Sequence, residues 1–132
     1  VLITRLVCAA YWLCLTTLLL VPDVKALLGS SISRVPTGVG VHFSAFTLLA
    51  LFVLASRPPL RHAPLAGLLI GYAVATELLQ TLVPPRTPEL KDFIEDVLGL
   101  AAGAAIWWGA QQYLLRKRKA ESRRQKAEGN DE

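Results

Sequence analysis

The stretch A-P-L-A-G-L-L-I-G-Y-A-V-A-T-E-L-L-Q-T-L-V, from Ala63 to Val83, is apolar for long enough to cross a bilayer, yet it carries Glu77 and Gln80 one helical turn apart. A hydrocarbon core takes about 20 helical residues to span. A carboxylate within it costs roughly 2.5 to 3.5 kcal/mol on insertion scales, so it persists only with a partner or a task. This one segment therefore indicates the fold class and marks where function is to be sought.

Three more windows of comparable character flank it, from Val1 to Val21, Val39 to Ala55 and Phe93 to Leu115. Prolines punctuate them as they punctuate helices. Pro22 follows the first, Pro58 and Pro59 with Arg57 stop the second, Pro84 and Pro85 end the third, and Pro88 leads into the fourth. The expectation is an all-α fold, an integral membrane bundle of four transmembrane helices. The longest connection, Pro22 to Gly38, holds Gly29, Ser30, Ser31, Ser33 and Pro36 and reads as a loop, with Val24 to Leu28 as a candidate interfacial turn. Arg5 ahead of an apolar run imitates a secretory signal, but no small-x-small cleavage pattern follows Val21, so a retained span is expected.

With 132 residues, 53% of them apolar, and a mean hydropathy of +0.44, the chain has neither the size nor the polarity of a soluble multidomain enzyme. Cys8 and Cys14 point about 120° apart around one helix, which excludes a strain-free mutual disulfide and leaves packing as their role. They match no metal spacing, and no metal or cofactor is expected. Seven basic residues between Arg116 and Lys126 supply the positive excess. Directly after a membrane span, such a run orients the protein and lies near anionic headgroups, so nucleic acid is not an expected partner.

The 14 basic residues divide ten to four when both termini are placed inside. Arg5, Arg57, Arg61 and the seven tail residues then face the cytoplasm, and Lys25, Arg34, Arg86 and Lys91 lie outside. That bias favours cytoplasmic termini. His42, Glu77, Gln80, Arg86, Asp92, Glu95 and Asp96 then gather in or just above the outer leaflet. At 1.5 Å per residue, Glu77 is about 9 Å below Val83, and Asp96 is about 6 Å from Asp92 on nearly the same helix face. Three helices aim ionisable groups at one layer, where mutual pairing relieves the cost of burial.

Each of these residues also has a structural reading. Glu77, bonded to Gln80 and a neighbouring helix, would pin the bundle; Asp92 and Asp96 complement the positive end of a helix dipole; His42 would be an interfacial histidine or a proton carrier. Glu89 and Glu95 read as solvated rim charges. His62, on the opposite loop beside Arg61, is expected to lack partners. Gly67 with Gly71, and Gly99 with Gly103, form small-x-x-x-small patterns that bring helix backbones together in lipid, the second pair being expected to hold Asp96 against the third helix. Trp107, Trp108 and Tyr113 fit an interfacial aromatic belt.

The order of these residues resembles the VanZ-like family of small bacterial membrane proteins, over roughly Val39 to Gly103. The matching pieces are His42 and Phe43 with Phe46 beyond, E-L-L-Q at Glu77 to Gln80, then Arg86, Asp92, Gly99 and Gly103. The family pattern is an E-x-x-Q, an Arg in a short loop, an Asp six residues later, an Asn four further on and a Gly three beyond. Asp96 stands at the Asn position. Gly38 and Val39 stand where the family often has D-K.

The resemblance implies a VanZ-like four-helix transmembrane domain over 1–115 and a basic, polar cytoplasmic tail over 116–132, either frayed or a helical extension. It implies a multi-pass protein of the bacterial cytoplasmic (inner) membrane, acting at the cell envelope; the family's namesake is associated with low-level resistance to the glycopeptide antibiotic teicoplanin. The leading expectation is binding of an anionic ligand, a lipid headgroup or lipid-linked wall precursor, by His42, Glu77, Gln80, Arg86, Asp92 and Asp96, with Arg86 taking phosphate. The alternative is an enzyme acting on a lipid-linked substrate by acid/base or divalent-metal chemistry. Transport is weaker, since there is no broken span or internal repeat, although a homo-oligomer would enclose a path. The charge bias makes a direct prediction: reporter enzymes fused to either end of the chain will report a cytoplasmic location, and a periplasmic signal from the C-terminal fusion would refute the orientation.

Overall fold

The computed structural model describes residues 2–21, 40–83 and 89–128. They form four helices and no strand: α1 Leu2–Leu20, α2 Val41–Ala55, α3 His62–Gln80 and α4 Leu90–Glu128. Helices α1, α3 and α4 are long and apolar enough to cross a membrane, and α2 is shorter. The expected all-α bundle of four helices is present, with α2 its shortest member. At 15 residues, α2 rises about 22 Å, less than the roughly 30 Å of a hydrocarbon core. Its limits have local causes. Gly40 caps its start at φ 96, a left-handed conformation suited to glycine. At its far end Arg57 turns to φ 48 just before Pro58 and Pro59.

Helix α4 goes the other way. Its 39 residues extend about 58 Å, because the Lys, Arg, Ala, Glu and Gln that follow Leu115 are all good helix formers. Of the two forms expected for the tail, the helical extension is the one present as far as Glu128.

The helices pack in the ring order α1, α2, α4, α3, with α2 against α4 as the most extensive contact. Gly99 and Gly103 account for it. A Cβ on Gly99 would strike the carbonyl oxygen of Phe43, and one on Gly103 would stand 2.6 Å from the carbonyl oxygen of Thr47 and 2.7 Å from Cβ of Ala50. These glycines thus hold α4 to α2, not to α3 as expected. Gly67 and Gly71, in contrast, have nothing within 4 Å of the place a Cβ would take. The buried stripe of α3 runs through Leu65, Leu69, Ala73, Thr76, Glu77 and Gln80. Each of those two glycines lies two residues from it, about 200° around the helix.

Without a strong hydrophobic drive between helices in lipid, association rests on packing and interhelical hydrogen bonds. The Tyr11 hydroxyl donates to the Ala45 carbonyl at 2.8 Å, tying α1 to α2, and the Thr16 and Tyr72 hydroxyls share a 2.8 Å bond between α1 and α3. Phe46 and Leu49 are fully buried at the centre. Phe46 approaches Tyr72 with ring centroids 5.9 Å apart, and Trp12 meets Tyr72 edge-on at 5.1 Å. Arg5 reaches the carbonyls of Ser56 and Arg57 at 3.4 Å, which engages acceptors left over at the end of α2. Cys8 is buried, Cys14 is exposed, and both are free thiols.

Glycine to alanine substitutions separate the two small-residue pairs. Gly99→Ala and Gly103→Ala are expected to lower the unfolding free energy in detergent by about 1 to 3 kcal/mol through overpacking. Gly67→Ala and Gly71→Ala will be neutral or stabilising by up to about 1 kcal/mol from helix propensity. Equal losses at all four positions would contradict this packing.

Candidate functional site

The last turn of α3 and the first turns of α2 and α4 lie at the same end of the bundle. The close α2–α4 contact sets His42, one residue before Phe43, beside Asp96, three before Gly99. His42 Nδ1 is 3.0 Å from Asp96 Oδ1, and Nε2 is 3.8 Å from Asp92 Oδ2. Asp92 and Asp96, four apart on α4, therefore flank one imidazole ring. The environment tightens with depth: the Asp92 side chain is 31% exposed, His42 18% and Asp96 1%. Asp96 Oδ2 is buried with no hydrogen-bond partner among the described residues.

Glu77 comes in from α3 and is 9% exposed. One donor atom from each of His42, Glu77 and Asp96 lies within 4.8 Å of the others. Gln80, one turn further along α3, is buried, and its Nε2 donates to the Leu19 carbonyl at 3.1 Å. Leu19 is in the last turn of α1, so Gln80 ties α3 to α1 near the level of the cluster. His42, Glu77, Asp92 and Asp96 are thus brought together, and Gln80 borders them. Arg86 lies outside the described residues, as do Gly38 and Val39.

Sequence reasoning missed Glu95. Expected as a solvated rim charge, its side chain is 13% exposed and accepts the Gly40 backbone N–H at 2.9 Å, with Lys91 at 3.8 Å. The signal was the glycine before Val41, which starts a helix whose first N–H groups lack acceptors. Glu89 is exposed, as a rim charge should be. His62, expected to have no partner, meets Trp108 edge-on with centroids 6.0 Å apart, at the opposite end of the bundle.

Below the polar layer, α2, α3 and α4 enclose an apolar groove of about 220 Å³, lined by Leu65, Leu69, Val97, Leu100, Ala104 and Trp108 among others. Val97 adjoins Asp96 in the sequence, while the α2 and α3 walls, Ala50 and Leu54 with His62, Leu65 and Leu69, lie toward the opposite end of the bundle.

A sequence model of the family described as VanZ/LLP1 matches residues 7–115. The chain belongs to the VanZ-like family. The match takes in all of α2 and α3 with most of α1 and the apolar part of α4, more than the Val39 to Gly103 region that carries the motifs. No curated protein and no solved structure matches the chain. Family membership and three membrane-length helices make this VanZ-like chain a membrane protein. One of the two departures noted from the sequence falls at the most buried position of the cluster: Asp96 offers two acceptor oxygens and a charge where asparagine offers one acceptor and a donor.

The bond from Gln80 gives the next prediction. Gln80→Ala removes one of the ties between α1 and α3, which is expected to lower stability in detergent by about 1 kcal/mol. Chemical denaturation followed by circular dichroism measures it, and an unchanged midpoint would show the bond to be dispensable.

Proposed function

We propose that this VanZ-like protein sits in the bacterial cytoplasmic membrane with its polar cluster in the outer leaflet, and that it binds an anionic envelope ligand there, a lipid headgroup or lipid-linked wall precursor. The observation that carries the reading is the convergence of His42, Glu77, Asp92 and Asp96 from three helices at one end of the bundle, with the apolar groove further along the same helices. A lipid phosphate has a polar end and a chain. The polar layer suits the first and the groove suits the second. In this reading Arg86, six residues beyond Gln80 in the sequence, takes the phosphate with its planar fork, while the carboxylates and His42 orient that side chain and the hydroxyl or amide groups of the ligand. A contribution to glycopeptide tolerance, as associated with the family's namesake, would follow from occupying or screening wall precursors in that leaflet.

A second reading is an enzyme on a lipid-linked substrate. It is favoured by the 3.0 Å contact of His42 with Asp96, the arrangement by which a carboxylate orients an imidazole for proton transfer.

Purified protein in detergent is expected to bind a polyprenyl phosphate, and Arg86→Ala to weaken that binding at least tenfold while its circular dichroism spectrum is retained. Undiminished binding by the variant would remove the phosphate role of Arg86. Release of phosphate from the same lipid by wild-type protein, lost in Glu77→Gln, would replace binding with catalysis.

A further inference from the structure

We propose that His42, Glu77 and Asp96 form a site for one divalent transition-metal ion of the Zn2+ or Mn2+ class, each helix of the α2, α3 and α4 trio giving one ligand. The inference does not need the phosphate reading, because metal binding is measured without any lipid. Its first support is convergence: an imidazole nitrogen and two carboxylate oxygens lie within 4.8 Å of one another. Ligand atoms sharing an ion at bond lengths of about 2.0 to 2.2 Å stand about 3 to 3.5 Å apart, so side-chain rotations that move these atoms by about 1 Å complete the set.

The second support is independent of the first. Asp96 is wholly buried, and while Oδ1 takes the contact with His42, Oδ2 has no hydrogen-bond partner among the described residues. A buried carboxylate oxygen left in that state is costly. Charge points the same way. A divalent ion set between the Glu77 and Asp96 carboxylates and the imidazole meets negative charge from two sides and gives Oδ2 of Asp96 its partner. Donor type then selects the ion. Ca2+ and Mg2+ prefer all-oxygen sets, while an imidazole with carboxylates suits borderline ions. Asp92 Oδ2, 3.8 Å from His42 Nε2, is placed to orient the ring from outside the ligand set, the usual second partner of a metal-bound histidine. An ion at this position would also add positive charge to a layer rich in carboxylates, where an anionic headgroup is to be received.

The test uses full-length, tag-free protein in detergent, stripped of metal and titrated with Zn2+ or Mn2+ against a chromophoric chelator. The expected result is about one ion per chain, not displaced by excess Ca2+. Asp96→Asn and His42→Ala are expected to weaken binding by about 100-fold or more, since losing even an orienting partner costs about 10- to 100-fold. His62→Ala, at the far end of the bundle, will bind as wild type does. Because a substituted site can fail to fold, X-ray absorption on the zinc-loaded wild type decides independently: a shell of one imidazole nitrogen with oxygens supports the site. No stoichiometric binding by wild type, equal affinity in a folded Asp96→Asn variant, or a shell containing sulfur or two imidazoles would overturn it. Polyprenyl phosphate binding by protein that takes no metal would sink this inference alone; metal uptake without lipid binding would sink only the lipid reading.

Discussion

The backbone contact of α2 with α4 across Gly99 and Gly103 is the constraint on which the remainder depends. Helices are stiff, so fixing Gly99 on the Phe43 carbonyl and Gly103 on the Thr47 carbonyl also fixes the register of everything one turn away. His42 falls opposite Asp96, and Glu95 reaches the Gly40 N–H. Any side chain at those glycines pushes the helices apart and removes both polar contacts together. The packing is therefore inseparable from the polar cluster, though neither glycine touches it.

The short α2 sharpens this arrangement. A helix of about 22 Å is shorter than a core of about 30 Å. Backbone that is not helical is tolerated at membrane depth only where its polar groups find partners within the protein. Both ends of α2 meet that condition, through Glu95 on the Gly40 N–H and Arg5 near the Ser56 and Arg57 carbonyls. Aromatic rings and hydroxyls join the helices along the sides of the bundle, and at the end where His42 and Glu77 meet α4, Asp92 remains partly open to the surroundings while Asp96 does not.

Much of this was legible in the residues. Apolar run length with proline punctuation gave the helices, and the cost of a buried Glu77 pointed to a shared polar layer that the structure assembles from His42, Glu77, Asp92 and Asp96. What escaped has a common cause, since spacing along a chain fixes relative angle around a helix but not which face meets a neighbour. Gly67 and Gly71 share the spacing of Gly99 and Gly103 and make no comparable contact. Glu95 was hidden because its partner is a backbone N–H, invisible in side-chain chemistry. The approach of the His42, Glu77 and Asp96 donor atoms to within 4.8 Å likewise could not be read from spacing, because they come from three separate helices whose common depth is legible but whose facing is not.

Helix α4 runs unbroken from Leu90 to Glu128, about 58 Å in all, so nearly half of it outreaches a bilayer core. The rod that positions Asp92 and Asp96 is the same rod that carries Arg116, Lys117 and Arg118. A torque applied to that basic shaft, by whatever surface it rests on, is delivered to the carboxylates at its distant tip, making the two extremities one mechanical body.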